Sequence, residues 1–298
     1  MTPDPAPPLP SSLRSAVVGR LPNADVGSAS RLGEGISTWA YRVEDPSGPW
    51  VVRVSNGYPE PWRWHGGRGH EVPLLRALAS RGLPVPKDAD AIPADDGLPV
   101  AIVERMVAGE PVTVPLRGTR RDRLARQLAS FLTDLHAFPV LEACSYGVVS
   151  APVAVEARRN LDLARPYLTE SVLQWLDREI GALERQDLHQ AVVHRDIRAQ
   201  HLYVNSVGDL VGVIDFGEAT VDDPALDFAK IANDFGDRFL RLLLTFYSGR
   251  SDDGLPARAQ LYRRLDTLWE VAEDAWGDRR SAVRRLRSLA AVARRSTA

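Results

Sequence analysis

Cysteine and lysine are both scarce in this chain of 298 residues. The single cysteine, Cys144, excludes an internal disulfide and offers none of the ligand spacings of a zinc site. A lone thiol fits a reducing, cytoplasmic compartment. Only Lys87 and Lys230 are lysines among the 37 cationic residues, a bias that we attribute to genome composition rather than to function.

Long apolar runs are also missing. No stretch approaches the ~20 apolar residues that a membrane span needs, and the proline-rich start lacks the basic residues and apolar core of a signal peptide. We therefore expect no membrane attachment and a disordered tail over residues 1–11. The formal net charge of −2 gives no electrostatic case for binding nucleic acid.

The stretch from Val192 to Phe228 carries the chemistry. His194-Arg195-Asp196 precedes His201, which lies five residues after Asp196. Two short apolar runs around a turn then predict a β-hairpin that ends on Asp215-Phe216-Gly217. Because a hairpin returns the chain to its starting point, we expect Asp196, His201 and Asp215 to converge on one pocket.

Phosphoryl transfer requires such a set of side chains. One carboxylate accepts the proton of the attacking hydroxyl, and another, with a further ligand, holds Mg²⁺ against the phosphates of ATP or GTP. Asp196 is the candidate base, and Asp215 and His201 are the candidate metal ligands. A surface hairpin with scattered acids is the alternative, and His201 as a buried structural histidine also stays open.

With Asp223-Pro224-Ala225-Leu226-Asp227 added, the chain resembles the aminoglycoside and macrolide phosphotransferases from about Leu32 to Phe235. The resemblance implies an α+β, two-lobed protein-kinase-like fold. A small β-rich lobe over residues 12–109 would bind nucleotide, and a mainly helical lobe over residues 110–298 would hold the catalytic and acceptor sites. It also implies that His194 and Asp227 support the catalytic loop, Asp227 through the backbone amides of that loop.

The resemblance assigns further roles in the first lobe. Arg53 stands where the family has its phosphate-contacting lysine, and Glu71 where the family has the ion-pair partner of that lysine. The remaining candidates are a phosphate-covering loop and a purine-binding hinge, formed respectively by Gly33, Gly35 and Ser37 and by Glu104, Arg105 and Met106. Thr38 replaces the third glycine of the loop motif, so an ordinary hairpin turn is the alternative for this loop. The alternative for Arg53 is a strand arginine that faces solvent.

Two departures from the family pattern bear on the acceptor. Most members have Gly at position 195 and Asn at position 201, and macrolide phosphotransferases often carry His at position 201. From Pro111 onward the chain has 26 acidic and 26 basic residues, so it has no excess charge to attract a polycationic aminoglycoside. A macrolide needs mainly an apolar wall. The candidate acceptor residues are Glu218, Asp222, Asp234, Phe235, Asp237, Trp269 and Trp276.

These patterns predict an enzyme that moves the γ-phosphate of ATP or GTP to a hydroxyl of an antibiotic, a macrolide being favoured, and so confers resistance. An aminoglycoside phosphotransferase and a metabolite kinase are alternatives within the family. A protein kinase is disfavoured because no activation segment follows Gly217. A pseudokinase without turnover stays open because Arg53, Arg195 and His201 depart from the commonest pattern.

Apolar residues at helical spacing predict most helices of the second lobe. We expect one continuous helix from Ala229 to Tyr247. The other predicted helices are residues 12–21, a segment beginning at Glu71, and residues 120–136, 171–188, 255–276 and 279–295.

Overall fold

The computed structural model describes residues 8–34, 38–55, 68–93 and 99–277. Their contacts divide the chain into two compact units. The first contains the described residues up to Thr113 and takes back Leu141–Val148 and Ala199–Ala219. The second contains Val114–Val140, Val149–Arg198 and the chain from Thr220 onward.

An antiparallel five-stranded sheet in the order β1-β2-β3-β5-β4 forms the base of the first unit. Its strands are β1 (Asp25–Glu34), β2 (Thr38–Glu44), β3 (Trp50–Ser55), β4 (Asp90–Pro93) and β5 (Pro99–Arg105). The helices of this unit are α1 (Ser11–Arg20), α2 (Glu71–Ser80) and α4 (Val140–Ser145). The first residue of α4, Val140, is assigned to the second unit.

Strand β3 shows how the sequence pattern builds this sheet. Side chains alternate between the two faces of a strand, and Trp50, Val52 and Val54 accordingly pack into the hydrophobic core with the buried residues of β2 and β5. Val51 and Arg53 point to the opposite face. The period-2 pattern therefore presents Arg53 on the face away from that core.

The N-terminal part of the fold begins earlier than the predicted tail allows. Leu9 is buried in the core of the sheet, and α1 starts at Ser11, where the carbonyl of Pro10 accepts a hydrogen bond from Leu13 N–H. Burial of an apolar side chain thus fixes residues that composition assigned to a flexible segment. Residues 1–7 lie outside the described part of the chain.

The predicted hairpin is present and belongs to the first unit. Strands β8 (Leu202–Val204) and β9 (Leu210–Val213) pair antiparallel, and β6 (Glu110–Pro111) adds to the β8 edge. Gly109, at φ 131°, precedes β6 where an added Cβ would lie 2.6 Å from the Val204 carbonyl oxygen, so only glycine fits. The N–H of Val213 donates to Pro84 O at 2.7 Å. These contacts explain why the unit ends at Thr113 and takes in the hairpin, whereas the predicted boundary followed residue 109.

The second unit is mainly helical. Its helices are α3 (Gly118–His136), α5 (Val153–Ala164), α6 (Glu170–Glu184), α7 (Ala225–Phe235), α8 (Asp237–Leu244) and α9 (Leu255–Gly277), with a short antiparallel pair formed by β7 (Ala191–Val193) and β10 (Thr220–Asp222). Helix α9 packs against α5 and α7. Among the described helices, none is long and apolar enough to cross a membrane.

The predicted continuous helix from Ala229 to Tyr247 is wrong. Two helices, α7 and α8, meet at Gly236, whose φ of 79° lies in the left-handed region and ends α7. Helix α5 and strand β10 were not expected. The predicted helix over residues 279–295 lies outside the described residues.

Candidate active site

Arg53 is the centre of a charged cluster in the first unit. Its NH2 pairs with Oε1 of Glu71, the first residue of α2, in a short contact. Its NH1 lies 3.4 Å from Oδ1 of Asp215, and its Nε lies 3.3 Å from Oε1 of Glu104 on β5. One guanidinium therefore faces three carboxylates, so Arg53 is not a solvent-facing strand arginine.

Burial differs sharply among the four side chains. Glu71 and Glu104 are 0% and 5% exposed and Arg53 is 14% exposed, whereas Asp215 is 47% exposed. Burial raises the pKa of Glu104 to about 7 although Arg53 opposes this. Burial lowers the pKa of Arg53, but Glu104, Glu71 and Asp215 outweigh it and the net shift is upward. Arg53 therefore stays charged, and Asp215 is the accessible member of the cluster.

His201 and Asp215 form the pair that could hold a metal ion. Nε2 of His201 lies 3.8 Å from Oδ2 of Asp215. Nε2 also lies 3.2 Å from the amide nitrogen of Gln200, which donates to it, so this nitrogen carries a lone pair. Asp215 has a φ of 69°, a conformation that non-glycine residues adopt rarely and often at functional sites. A lone pair and a half-exposed carboxylate suit a cation, with the carboxylate the better match for Mg²⁺.

The expected nucleotide loop and hinge are only partly described. Gly33 lies on β1 opposite Ala40, while Gly35 and Ser37 fall outside the described residues. In the hinge, Arg105 N–H donates to Lys87 O at 2.9 Å and Met106 N–H donates to Pro49 O at 3.1 Å. Neither N–H is available to a purine unless a hydrogen bond of the fold breaks.

The catalytic loop lies in the second unit and is held from α7. Asp227 is buried; its Oδ2 accepts a hydrogen bond from His194 N–H at 3.0 Å, and its Oδ1 accepts one from Arg195 N–H at 2.6 Å. This is the backbone contact that the resemblance leads us to expect. Nδ1 of buried His194 in turn accepts the N–H of Asp196 at 3.2 Å. The loop backbone is thus fixed on both sides of Arg195.

Asp196 has a basic partner that sequence reasoning missed. Its Oδ1 accepts a hydrogen bond from Nε of Arg198 at 2.8 Å, and both side chains reach solvent. The sequence did contain a signal, because the acid and the arginine lie only two positions apart. Arg198 thus places a positive charge beside the carboxylate that is the candidate general base.

Two other contacts of this loop could not be found from local patterns. The Arg195 guanidinium pairs with Glu156 of α5, 39 positions earlier. His136 at the end of α3 donates from Nε2 to Asp227 Oδ2 at 3.0 Å across 91 positions. Neither spacing has a periodic signature, so only the packing of the helices brings these residues together.

The candidate acceptor residues separate into different environments. Asp222 is buried and accepts hydrogen bonds from Val153 N–H and Asp223 N–H, each at 2.7 Å; burial raises its pKa to about 7. Asp237 is bound by Gln260 and Arg263 of α9. Both acids therefore serve the helical packing. Glu218 is exposed on a turn of the first unit, and the side chains of Trp269 and Trp276 lie outside the described part.

Asp234 and Phe235 line a cavity of about 510 Å³ in the second unit. Its wall has three guanidinium groups and one carboxylate among apolar side chains. The lining comprises Val114, Pro115, Leu116, Arg117, Gly118, Arg121, Asp234, Phe235, Arg238 and Phe239. The rings of Phe235 and Phe239 stack at 4.6 Å. The cavity thus combines an apolar wall with three arginines and one acid, and one of these arginines, Arg121, is also paired with Asp122.

Comparison with known proteins finds related sequences and related folds. The sequence matches the model of a phosphotransferase enzyme family over residues 28–268. Viomycin phosphotransferase from Streptomyces vinaceus is 28% identical over 214 residues, which cover 66% of this chain and 73% of that protein.

Two solved structures show the fold. APH(2″)-IIia in complex with GDP and kanamycin is 24% identical, with a TM-score of 0.78 over 93% of this chain and 97% of that chain. Macrolide 2′-phosphotransferase MphH from Brachybacterium faecium is 20% identical, with a TM-score of 0.71 over 94% and 98%. At these identities the likeness establishes the fold alone, and it confirms the predicted α+β, kinase-like class.

Proposed function

The chain belongs to the phosphotransferase enzyme family, and from this premise we propose that it transfers the γ-phosphate of ATP or GTP to a hydroxyl of an antibiotic, a macrolide-type acceptor being favoured. The observation that carries the proposal is the Arg53 guanidinium between Glu71 and Asp215. That arrangement leaves one cationic edge and one half-exposed carboxylate side by side, as a phosphate and its counter-ion require. Because the donor is a cytosolic nucleotide, we place the enzyme in the cytoplasm.

Asp196 is the proposed general base. Its carboxylate would accept the proton of the acceptor hydroxyl as the oxygen attacks phosphorus and the nucleoside diphosphate leaves, while Arg198 donates a hydrogen bond to that carboxylate. Asp227 fixes the backbone on which Asp196 is mounted. Catalysis would then depend on position and charge rather than on a covalent intermediate.

His201 and Asp215 are the residues that would hold Mg²⁺, and Arg53 is the residue that would hold phosphate oxygens. Bound Mg²⁺ neutralises charge on the phosphates of the donor. Asp215 supplies the carboxylate that this ion prefers, and Nε2 of His201 would bind it by exchanging the hydrogen bond from the Gln200 amide for the metal. We keep both ATP and GTP as donors; GDP is bound in the APH(2″)-IIia structure.

The cavity of the second unit supports a macrolide-type acceptor over an aminoglycoside. Three arginines, Arg117, Arg121 and Arg238, line it together with one acid, Asp234. A polycation would be repelled there, whereas the apolar wall of Phe235 and its neighbours suits a large apolar ring whose single amine pairs with Asp234. The 26 acidic and 26 basic residues from Pro111 onward likewise give this part of the chain no excess negative charge to attract a polycation.

Viomycin is the second candidate acceptor. The 28% identity to viomycin phosphotransferase extends over two thirds of this chain, and it is the observation that favours this reading. A metabolite with a free hydroxyl remains the third member of the panel.

Nucleotide consumption tests the proposal. The purified protein is assayed with Mg·ATP and Mg·GTP against macrolides, aminoglycosides, viomycin and small alcohols, with Asp196→Asn as the matched variant. We expect turnover with a macrolide and a loss of at least ~10²-fold in Asp196→Asn, the lower range for a general base. Turnover of an aminoglycoside or viomycin alone would replace the macrolide and keep the kinase. Near-normal turnover by a folded Asp196→Asn variant would remove Asp196 as the base.

A further inference from the structure

Glu104 is a buried acid that faces Arg53 from the neighbouring strand. In the antiparallel pair β3–β5, Arg53 lies opposite Ile102 and Val51 lies opposite Glu104. Arg53 and Glu104 are therefore diagonal neighbours on one face of the sheet, close enough for long side chains to meet. The 3.3 Å separation between Nε and Oε1 shows that they do.

The guanidinium of Arg53 has three edges, and each edge meets a different carboxylate. NH2 is bound by Glu71, Nε faces Glu104, and NH1 faces Asp215 in the longest of the three contacts. The N–H at Nε is not aligned with Glu104, so Arg53 Nε, Glu71 Oε2 and Glu104 Oε2 are buried without a hydrogen bond among the described residues. When Glu104 is ionised, charge rather than a hydrogen bond holds it to Arg53.

A lysine at position 53 would leave Glu104 without a positively charged group at the position that Nε of Arg53 now occupies. Lysine carries a compact ammonium group with no counterpart to Nε, whereas arginine presents donors on three sides of a rigid plane. Within the described part of the chain, Arg53 is the basic residue that forms an ion pair with Glu104. A buried carboxylate deprived of its cation is strongly destabilising. Glu104 and arginine at position 53 therefore belong together.

We propose that Glu104 is a positioning residue, which holds the Nε edge of Arg53 so that the NH1 edge stays directed at Asp215. This rests on the proposed donor site, where Arg53 contacts phosphate. Glu71 binds the NH2 edge by a hydrogen bond and Glu104 attracts the Nε edge of the same rigid plane, so together they restrict the direction of the NH1 edge. The long NH1 contact with Asp215 is then the one that a phosphate oxygen replaces.

Binding of Mg·ADP and Mg·GDP, measured by titration calorimetry without any acceptor, tests this coupling in Arg53→Lys, Glu104→Gln and the double variant. We expect Arg53→Lys to weaken binding about tenfold or more, because the lysine ammonium has no group at the position of Nε and Glu104 loses the positive charge that lies 3.3 Å away. Glu104→Gln alone should weaken it roughly threefold to tenfold. The double variant should recover most of the Arg53→Lys loss, giving a coupling of about tenfold between the two sites.

Arg42 and Glu44 on β2 supply the control pair. They form the same Nε-to-Oε1 ion pair at 2.6 Å on the same sheet, but both side chains are substantially exposed. Arg42→Lys and Glu44→Gln should leave nucleotide affinity unchanged and should not couple.

The proposal would be overturned if the losses of nucleotide affinity in Arg53→Lys and Glu104→Gln simply multiplied in the double variant. It would also be overturned if Glu104→Gln bound nucleotide with the affinity of the unsubstituted protein. Thermal unfolding midpoints serve as the second readout. If Arg53→Lys does not fold, recovery of folding in the double variant supports the coupling and continued failure contradicts it. If the unsubstituted protein binds neither nucleotide, the proposed function fails separately, and the coupling is read from the midpoints.

Discussion

Arg195 carries backbone strain at the residue that precedes the proposed base. Its φ of 71° lies in the left-handed region, where a Cβ costs about 1–2 kcal/mol and glycine costs nothing. The resemblance to a family that mostly has Gly at this position now has a physical reason. Here the strain is offset by the ion pair of Arg195 with Glu156 and by its N–H bond to Asp227.

We expect Arg195→Gly to be more stable than Arg195→Ala by about 1–2 kcal/mol in urea unfolding. Both variants lose the ion pair with Glu156, so the difference between them isolates the backbone term. Equal stability of the two variants would show that the left-handed conformation is not maintained in solution.

His201 and Asp215 should differ in how they respond to substitution. Asp215→Ala removes the exposed carboxylate and should abolish Mg²⁺ binding that depends on nucleotide. His201→Asn exchanges one neutral lone pair for another and should retain much of it, since most of the family is expected to have Asn there. Manganese binding to the nucleotide complex, followed by electron paramagnetic resonance, measures both. Undiminished binding in Asp215→Ala would contradict the assignment.

At the scale of elements, α7 organises the catalytic loop. Asp227 in its first turn binds two loop amides, and Asp223 just before the helix receives the guanidinium of Arg258 and the hydroxyl of Tyr262 from α9. The D-P-x-x-D segment is therefore a two-sided connection. One acid fixes the loop, and the other fixes the long helix behind it.

We predict that Asp227→Asn lowers the free energy of unfolding by about 1–3 kcal/mol. The two carboxylate oxygens of Asp227 each accept a backbone N–H, and the NH2 group of asparagine would face one of these donors without being able to accept its hydrogen bond. Turnover should fall by more than the folded fraction does, while the affinity for Mg·ADP stays within about twofold. Asp253→Asn, in an exposed turn, is the control and should change neither. Turnover that follows the folded fraction alone would limit Asp227 to a stabilising role.

At the scale of the whole molecule, buried acids make stability depend on pH in an unusual direction. Burial raises the pKa of Asp222 and of Glu104 to about 7 each. Between pH about 4 and 7 the folded protein therefore binds protons that the unfolded chain has released. Stability from these groups is complete below pH about 4 and is lost as the pH rises through 7.

Urea midpoints measured from pH 4.5 to 8 should show this loss, at most about 1.4 kcal/mol per pH unit for one group. Asp222→Asn should flatten the slope between pH about 4 and 7. Asp237→Asn is the control: the hydrogen bond from Gln260 lowers the pKa of Asp237, so its contribution changes only below pH about 4. An unchanged slope in Asp222→Asn would mean that this carboxyl is ionised throughout.

Much of the fold and part of the site could be predicted from local sequence. The apolar runs before Asp215 predicted the β8–β9 hairpin, and the apolar spacing before His136 predicted α3. The helix break at Gly236 was missed because apolar periodicity continues across it, and only a positive φ marks the end of α7. The periodicity of apolar residues indicates which side chains are buried, but it does not indicate the backbone φ of one residue such as Gly236.

The sequence by itself determined which chemistry is available, because the spacing of Asp196, His201 and Asp215 along one hairpin is a local property. Tertiary structure decided what each acid does. No sequence pattern assigned a role to the Glu104 side chain, and the fold places it 3.3 Å from Arg53; Asp222 was expected to face the acceptor, but it is buried. The identity of an acidic residue does not reveal its role, because that role is set by the charges and N–H groups that distant segments of the chain place around the carboxylate.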